Sequence, residues 1–351
     1  EPWKTNLKMM NFLACVAARK RDQSTVAKTK VLFCGSEFPL ACENTSKELL
    51  EDHGIQVSSC ARENVADEIR DAHVAIPLMS RLDESILCKA GELKLIIQFG
   101  VGLEGVDVDA ATRAKIPVSN IRSEGTGNAA SCAEHAIYLM LALLRDQSGM
   151  HASVEKQLLG QPAGRVLLGS NVLLVGYGGI GKELAPRLAP FGVTLSAVRK
   201  SPWPTGDDVE KCGTLSHKGG PDDLPEMLSK TDIVVLTCVL NESTRGMVND
   251  EFLSALKPGA WLVNVARGPL MDYDAVLRAL DNGQLAGVAT DVTWTEPINP
   301  TDQFAAHPKV IVTPHIAGVT NLSYETMAKI LGEEIRRIHR REPPSRQVNG
   351  F

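Results

Sequence analysis

Val172-Leu173-Leu174-Val175-Gly176-Tyr177-Gly178-Gly179-Ile180-Gly181 is the stretch on which the reading of this chain turns. Four aliphatic residues in a row read as a strand buried on both faces. A Gly-x-Gly-x-x-Gly turn follows at once. Its first glycine allows a tight turn, its second lets a pyrophosphate approach the backbone, and its third lets the next helix pack close to the sheet. The start of that helix offers free N–H groups and a partial positive charge to phosphate. Gly176, Gly178, Gly179, Ile180 and Gly181 are therefore the expected phosphate-binding turn of a dinucleotide site. Pro186 falls inside the following helix, where its missing N–H predicts a kink.

The next strand, 193–198, ends at Ala197-Val198-Arg199-Lys200-Ser201. An NAD site usually places Asp or Glu there, about 20 residues beyond the loop, to accept from the ribose hydroxyls. Arg199 stands in that place. A carboxylate repels a 2′-phosphate, whereas a guanidinium forms charged hydrogen bonds with it, helped here by Lys200 and Ser201. The expected cofactor is NADP(H), with NAD(H) left open.

Outward from the loop, short β-branched runs alternate with helical segments. Strands are expected at 31–34, 55–57, 74–76 and 93–97, with helices near 45–52 and 83–90. A long helix runs from Asn128 to about Arg145. Further strands follow at 172–175, 193–198, 233–236, 261–265, 287–290 and 310–312, and a last amphipathic helix at 321–339. This alternation predicts parallel sheets covered by helices on both faces, in two α/β units. Pro202, Pro204 and Gly206 mark a surface turn within the second unit.

Composition agrees with a globular protein: 351 residues, 44% hydrophobic and 23% charged, long enough for two domains. A net charge of -5 argues against nucleic acid as the main partner. The longest apolar run, 136–144, is about half of what a membrane span needs and reads as a buried helix. The eight cysteines are scattered without a Cys-x-x-Cys pair, so no metal site is expected and free thiols are the better reading. Residues 1–28, with Arg19, Lys20 and Arg21 after an apolar stretch, read as a flexible extension or as the remnant of an organelle-targeting peptide. The expected location is the cytoplasm, or a chloroplast or mitochondrion if the second reading holds.

Three polar residues stand at or beyond the ends of strands in the second unit: Arg267 in Asn264-Val265-Ala266-Arg267-Gly268, Glu296 in Thr293-Trp294-Thr295-Glu296-Pro297, and His315 in Thr313-Pro314-His315-Ile316-Ala317-Gly318. Open α/β sheets bind ligands at the carboxyl ends of their strands. Reduction of a 2-keto acid by hydride creates an alkoxide that needs a proton. An imidazole steadied by a carboxylate supplies one near neutral pH, and a guanidinium holds the substrate carboxylate and polarises the carbonyl. Each residue alone has a plain structural reading; their order downstream of a dinucleotide loop is what carries the chemistry.

These segments resemble the D-isomer-specific 2-hydroxyacid dehydrogenases, from about Val31 to His339. The resemblance also rests on Leu93-Lys94-Leu95-Ile96-Ile97-Gln98-Phe99-Gly100-Val101-Gly102, on 116–120 and 128–135, and on Leu256-Lys257-Pro258-Gly259-Ala260. It implies two Rossmann-like doubly wound parallel-sheet domains with a cleft between them. Residues 1–122 plus 319–351 would form a discontinuous substrate domain, and 123–318 the dinucleotide-binding domain. Arg267 would bind substrate, His315 would be the acid/base and Glu296 its partner. Backbone N–H groups of Val101 and Gly102 would hold the substrate carboxylate. Val239, Val265, Ala266, Asp291, His315 and Gly318 would lie beside the cofactor. Members are usually homodimers.

The chain departs from the family at Leu236-Thr237-Cys238-Val239, which lacks the usual His and Pro. Glu296 argues against formate as substrate and Val101 against phosphite. The expected reaction interconverts a small 2-keto acid, such as glyoxylate or hydroxypyruvate, with its 2-hydroxy acid. The alternatives are an NAD-dependent D-3-phosphoglycerate dehydrogenase, against which Arg199 counts, and a nucleotide-sensing corepressor on the same fold.

Overall fold

The computed structural model describes residues 28–203 and 214–350. The N-terminal stretch read as extension or targeting remnant lies outside the described residues except for Lys28, and so do Pro204 and Gly206. Two parallel sheets make up the fold. The first joins β1 (Thr29–Phe33), β2 (Ile55–Ser59), β3 (Val74–Ile76), β4 (Leu95–Gln98) and β5 (Val118–Asn120) in the order β2-β1-β3-β4-β5. The second joins β6 (Asn171–Val175), β7 (Thr194–Val198), β8 (His217–Gly219), β9 (Ile233–Leu236), β10 (Ala260–Asn264), β11 (Leu285–Thr290) and β12 (Val310–Val312) in the order β12-β11-β10-β9-β6-β7-β8. Every pairing is parallel.

Alternation along single strands shows why both sheets are doubly wound. In β6, Leu173 and Val175 enter one apolar core while Val172 and Leu174 enter the other. In β1, Leu32 faces one core while Val31 and Phe33 face the second. A strand apolar on both sides needs helices on both sides. The helices of two turns or more are α1 (Pro39–Glu48), α2 (Asn128–Leu144), α3 (Gln147–Glu155), α4 (Gly179–Leu188), α5 (Tyr273–Asp281) and α6 (Asn321–His339). α2 and α4 cover one face of the second sheet, and α5 the other.

α6 ends the regular structure yet packs on the first sheet. Tyr324, Met327, Leu331 and Ile335, spaced three and four apart, lie against Val31, Phe33, Val74, Ile76, Leu95 and Ile97. Arg336 bonds both Asp52 and Glu48. The tail then returns to β5, where Asn349 Oδ1 accepts from Val118 N at 2.8 Å.

Several expected boundaries moved. The helix expected near 45–52 runs from Pro39 to Glu48, because Pro39 is preset for the first helical turn and Phe38 enters it in a left-handed conformation. The helix expected at 83–90 is only Glu84–Leu87, capped by the Asp83 side chain. β5 and β8 escaped the pattern reading: each has three residues, and β8 is a polar edge strand. α4 continues through Pro186 to Leu188.

Both sheets reverse their strand order once, between β1 and β3 and between β6 and β9. Ligands bind outside the carboxyl ends of strands at such switch points. The loops after β1, β2, β3 and β4 face those after β9, β10, β11 and β12 across a cleft.

Candidate active site

His315 is set by its backbone. It lies two residues beyond the Thr313 that follows β12, at φ +55°, a conformation uncommon for a residue with a side chain. Asp291, just past β11, holds it there. One Asp291 oxygen accepts from Ile316 N at 2.9 Å and from the Thr313 hydroxyl at 2.6 Å, and the other accepts from Ala317 N at 2.7 Å. Since Thr313 gives its proton to Asp291, it accepts from His135 Nε2 at 2.9 Å. Burial holds the His135 imidazole below its ordinary pKa, opposed in part by the Asp291 charge. Asp291, expected beside the nicotinamide, does line the cleft, but its carboxylate is committed to the loop that carries His315.

The ring of His315 meets two partners. Nδ1 lies 2.7 Å from Glu296 Oε2, while Phe38 of the first unit presents its ring nearly perpendicular at 5.6 Å between centroids. Glu296 Oε1 accepts from Thr293 N at 2.9 Å, which fixes the carboxylate. Burial pushes the Glu296 carboxyl up. The hydrogen bond and charge of His315, the Thr293 N–H and the Arg267 charge outweigh it, and the group sits below the usual carboxylate range. Ionised, Glu296 only accepts, so the His315 proton at this contact is on Nδ1 and donates. Nε2 has no protein partner among the described residues and can exchange a proton with a bound molecule.

Arg267 is presented by a buried turn. Asn264, fully buried at the end of β10, accepts from Ala266 N at 2.9 Å and donates to Arg267 O at 2.8 Å. At Gly268 a Cβ would collide with the Thr293 backbone, so only glycine lets the turn pass. The guanidinium reaches across the cleft: Nε donates to Glu104 Oε1 at 3.0 Å, while Nη1 donates to Ala266 O at 2.7 Å. Gly102 lies against this pair.

Two adjoining cavities, of about 490 and 530 Å³, share Arg62, Met79, Thr293, Glu296 and His315. Arg267 and Gly102 line the second. Val101 is beside them and half exposed, with its carbonyl accepting from Asn120. The trio read from sequence thus converges on one cleft. Reading the sequence missed Asn264 as a brace, Thr313 as a relay to His135, and Phe38, Arg62 and Glu104 from the first unit. A polar residue closing a buried strand was a usable signal for Asn264; the other contacts leave no local trace.

The glycine turn fits a dinucleotide. Gly176 has φ +105°, and a Cβ there would sit 2.6 Å from Cys238 N. A Cβ at Gly178 would meet nothing within 4 Å, the room a pyrophosphate needs. At Gly181 it would lie 2.9 Å from Gly176 O, so the third glycine serves helix-to-strand closeness. α4 starts without a side-chain cap, leaving its first N–H groups for a ligand. At the end of β7, Arg199 Nη2 donates to Ser201 Oγ at 2.9 Å, and its guanidinium lies 5.5 Å from the centre of the Trp203 ring. Among the described residues Arg199 Nε is buried without a hydrogen-bond partner. Lys200 is exposed next to it. Val265 and Ala266 are buried under the cleft, Val239 is exposed after β9, and Gly318 abuts Asn128 at the start of α2.

Residues 137–317 match the D-isomer specific 2-hydroxyacid dehydrogenase, NAD binding domain. Over 324 residues the chain is 31% identical to a glyoxylate reductase of Pyrococcus furiosus, covering 88% of this chain and 92% of that one. The chain belongs to the D-isomer-specific 2-hydroxyacid dehydrogenase family. This dehydrogenase is also 32% identical over 308 residues to a D-3-phosphoglycerate dehydrogenase of Bacillus subtilis, which covers 86% of this chain but only 56% of that longer relative. Among solved structures, the TT0316 protein of Thermus thermophilus superposes with a TM-score of 0.78 at 27% identity, over 92% of this chain and all of that one. The dehydrogenase is therefore a nicotinamide-dependent oxidoreductase. Among its described residues no helix is long and apolar enough to cross a membrane, and no cluster of three His, Cys, Asp or Glu could hold a metal ion.

Proposed function

We propose that this dehydrogenase reduces a small 2-keto acid of the glyoxylate or hydroxypyruvate kind, with NADP(H) preferred over NAD(H). The observation that carries the reading is the 2.7 Å contact of His315 with Glu296 in a cleft that also receives Arg267. The dinucleotide, its pyrophosphate held along Gly176–Gly181, would supply the hydride from its nicotinamide. His315 gives the proton to the carbonyl oxygen from Nε2, and ionised Glu296 stabilises the imidazolium and fixes its ring. Arg267 and the backbone N–H groups of Val101 and Gly102 hold the substrate carboxylate, which orients the carbonyl toward His315. Arg199, with Lys200 and Ser201, binds the 2′-phosphate; its place over Trp203 and its Nε, without a partner among the described residues, support that preference.

Residues up to 122 and from 319 onward serve as the substrate unit, with 123–318 as the cofactor unit; the packing of α6 on the first sheet supports this division. Pairing of two copies is placed along α2, α3 and the segment after them, where Val154, Leu159, Val166 and Leu168 expose large apolar side chains. Sedimentation analysis tests the dimer.

A steady-state screen of glyoxylate, hydroxypyruvate and pyruvate with NADPH and NADH, with D-3-phosphoglycerate as the oxidation control, tests the reaction. Keto-acid turnover with the higher kcat/KM for NADPH is expected. His315→Ala removes turnover while NADPH fluorescence titration still reports binding; full activity in that variant would rule out the role of His315.

A further inference from the structure

Glu104 belongs to the loop between β4 and the helical turn at 108–113, and no step of the reaction above uses it. Its carboxylate pairs with Arg267 Nε at 3.0 Å. A Cβ added at Gly102 would collide with both the Arg267 guanidinium and the Glu104 carboxylate, so all three meet at one point. Arg267 and the Gly102 backbone are also the groups assigned to the keto acid's carboxylate. A carboxylate of the chain itself therefore stands where the substrate's is to bind.

We propose that Glu104 is a built-in competitor for the substrate-carboxylate subsite and so sets the apparent affinity for keto acids. This inference rests on the function proposed above. The loop is pinned: Leu82 N donates to Gly105 O at 2.7 Å, Asp107 N donates to Leu82 O at 3.0 Å, and Asn120 donates to the Val101 carbonyl. Release therefore comes from rotation of the Glu104 side chain, 44% exposed, and not from movement of the loop. Exposed side chains change rotamer in picoseconds to nanoseconds, far faster than turnover. A fast closed–open equilibrium divides the dissociation constant by the open fraction, which weakens binding, and leaves the chemical step alone. Once substrate occupies the subsite, Glu104 is turned out to solvent, and every 2-keto acid meets the same competition because all share the carboxylate.

The test compares Glu104→Gln with Glu104→Asp. An exposed ion pair of this kind corresponds to about a two- to fivefold bias. In Glu104→Gln the KM for glyoxylate and pyruvate and the Ki of oxamate should all fall by about that factor, with kcat moving less than KM. Glu104→Asp keeps the charge but is one carbon too short for the contact, so it should behave like Glu104→Gln. Unchanged KM and Ki in Glu104→Gln overturn the proposal. So does a wild-type KM in Glu104→Asp, which would mark a field effect of the charge rather than occupation of the subsite. If the native enzyme turns over no keto acid, the proposed function fails by itself. Calorimetric titration of oxamate into the NADPH-loaded protein then decides the matter: tighter binding in both variants supports the competitor, and unaltered binding refutes it.

Discussion

His315 and Arg267 make an instructive pair. Both are cationic or potentially cationic groups at strand ends of the same sheet, and each touches a carboxylate. Glu296, the partner of His315, comes from the same unit, is largely buried and has its second oxygen fixed by Thr293 N. Glu104, the partner of Arg267, comes from the opposite unit and is half exposed. A buried, hydrogen-bonded pair within one rigid unit persists through a reaction cycle, whereas an exposed pair across a cleft exchanges with solvent and ligand. In the proposed reaction the first fixes the proton donor and the second leaves a binding group available.

The most damaging way to break this contrast is Glu296→Gln, which keeps the shape and removes the charge. A drop of about a hundredfold in kcat is expected, within the range that general acid–base catalysis contributes. The pH profile sharpens it. The Glu296 pKa is depressed, so its pair with His315 is complete above the ordinary carboxylate value and is lost as pH falls through the lowered one. The native enzyme should lose kcat/KM on that acid side, and the Gln variant should lack that limb.

Asp291→Asn comes next. An amide cannot accept from Ile316 N, Ala317 N and the Thr313 hydroxyl together as the carboxylate does, so the left-handed turn at His315 loosens. A loss of about tenfold to a hundredfold in kcat is expected from misplacement alone, measured beside an unchanged NADPH affinity. On the arginine side, Asn264→Ala leaves the buried Ala266 N without a partner and Arg267 O with only the longer 3.3 Å bond from Leu270 N. KM for the keto acid should rise about tenfold, equivalent to roughly 1.4 kcal/mol in the binding of a misdirected guanidinium, and denaturant melting should show a parallel loss of stability. The smallest effect is that of salt. Raising ionic strength weakens the exposed Arg267–Glu104 pair by under about 1 kcal/mol and leaves the His315–Glu296 pair nearly untouched. The pH profile of kcat should therefore keep its shape while KM drifts.

Much of this molecule is legible in its sequence. Strands such as β6 and β9 announce themselves because both faces are buried, and the glycine turn because each glycine answers a separate steric demand. His315, Glu296 and Arg267 stand out as candidates because open sheets bind ligands at the carboxyl ends of their strands, and the three line one cleft. β8 was not found because a polar edge strand has no apolar signature, and α1 was misplaced because a left-handed Phe38 before Pro39 is invisible to periodicity.

Local sequence is enough for the two wound sheets and the phosphate turn, and it singles out His315, Glu296 and Arg267 as candidates, since each follows from patterns spanning a few residues. Tertiary structure alone decided that α6 returns to the first sheet, that Phe38 faces His315, and that Glu104 lies on Arg267. Those contacts join residues 163 to 310 positions apart in the chain or loops of opposite units. Such closeness is set by how whole sheets pack, and no short window of sequence encodes it.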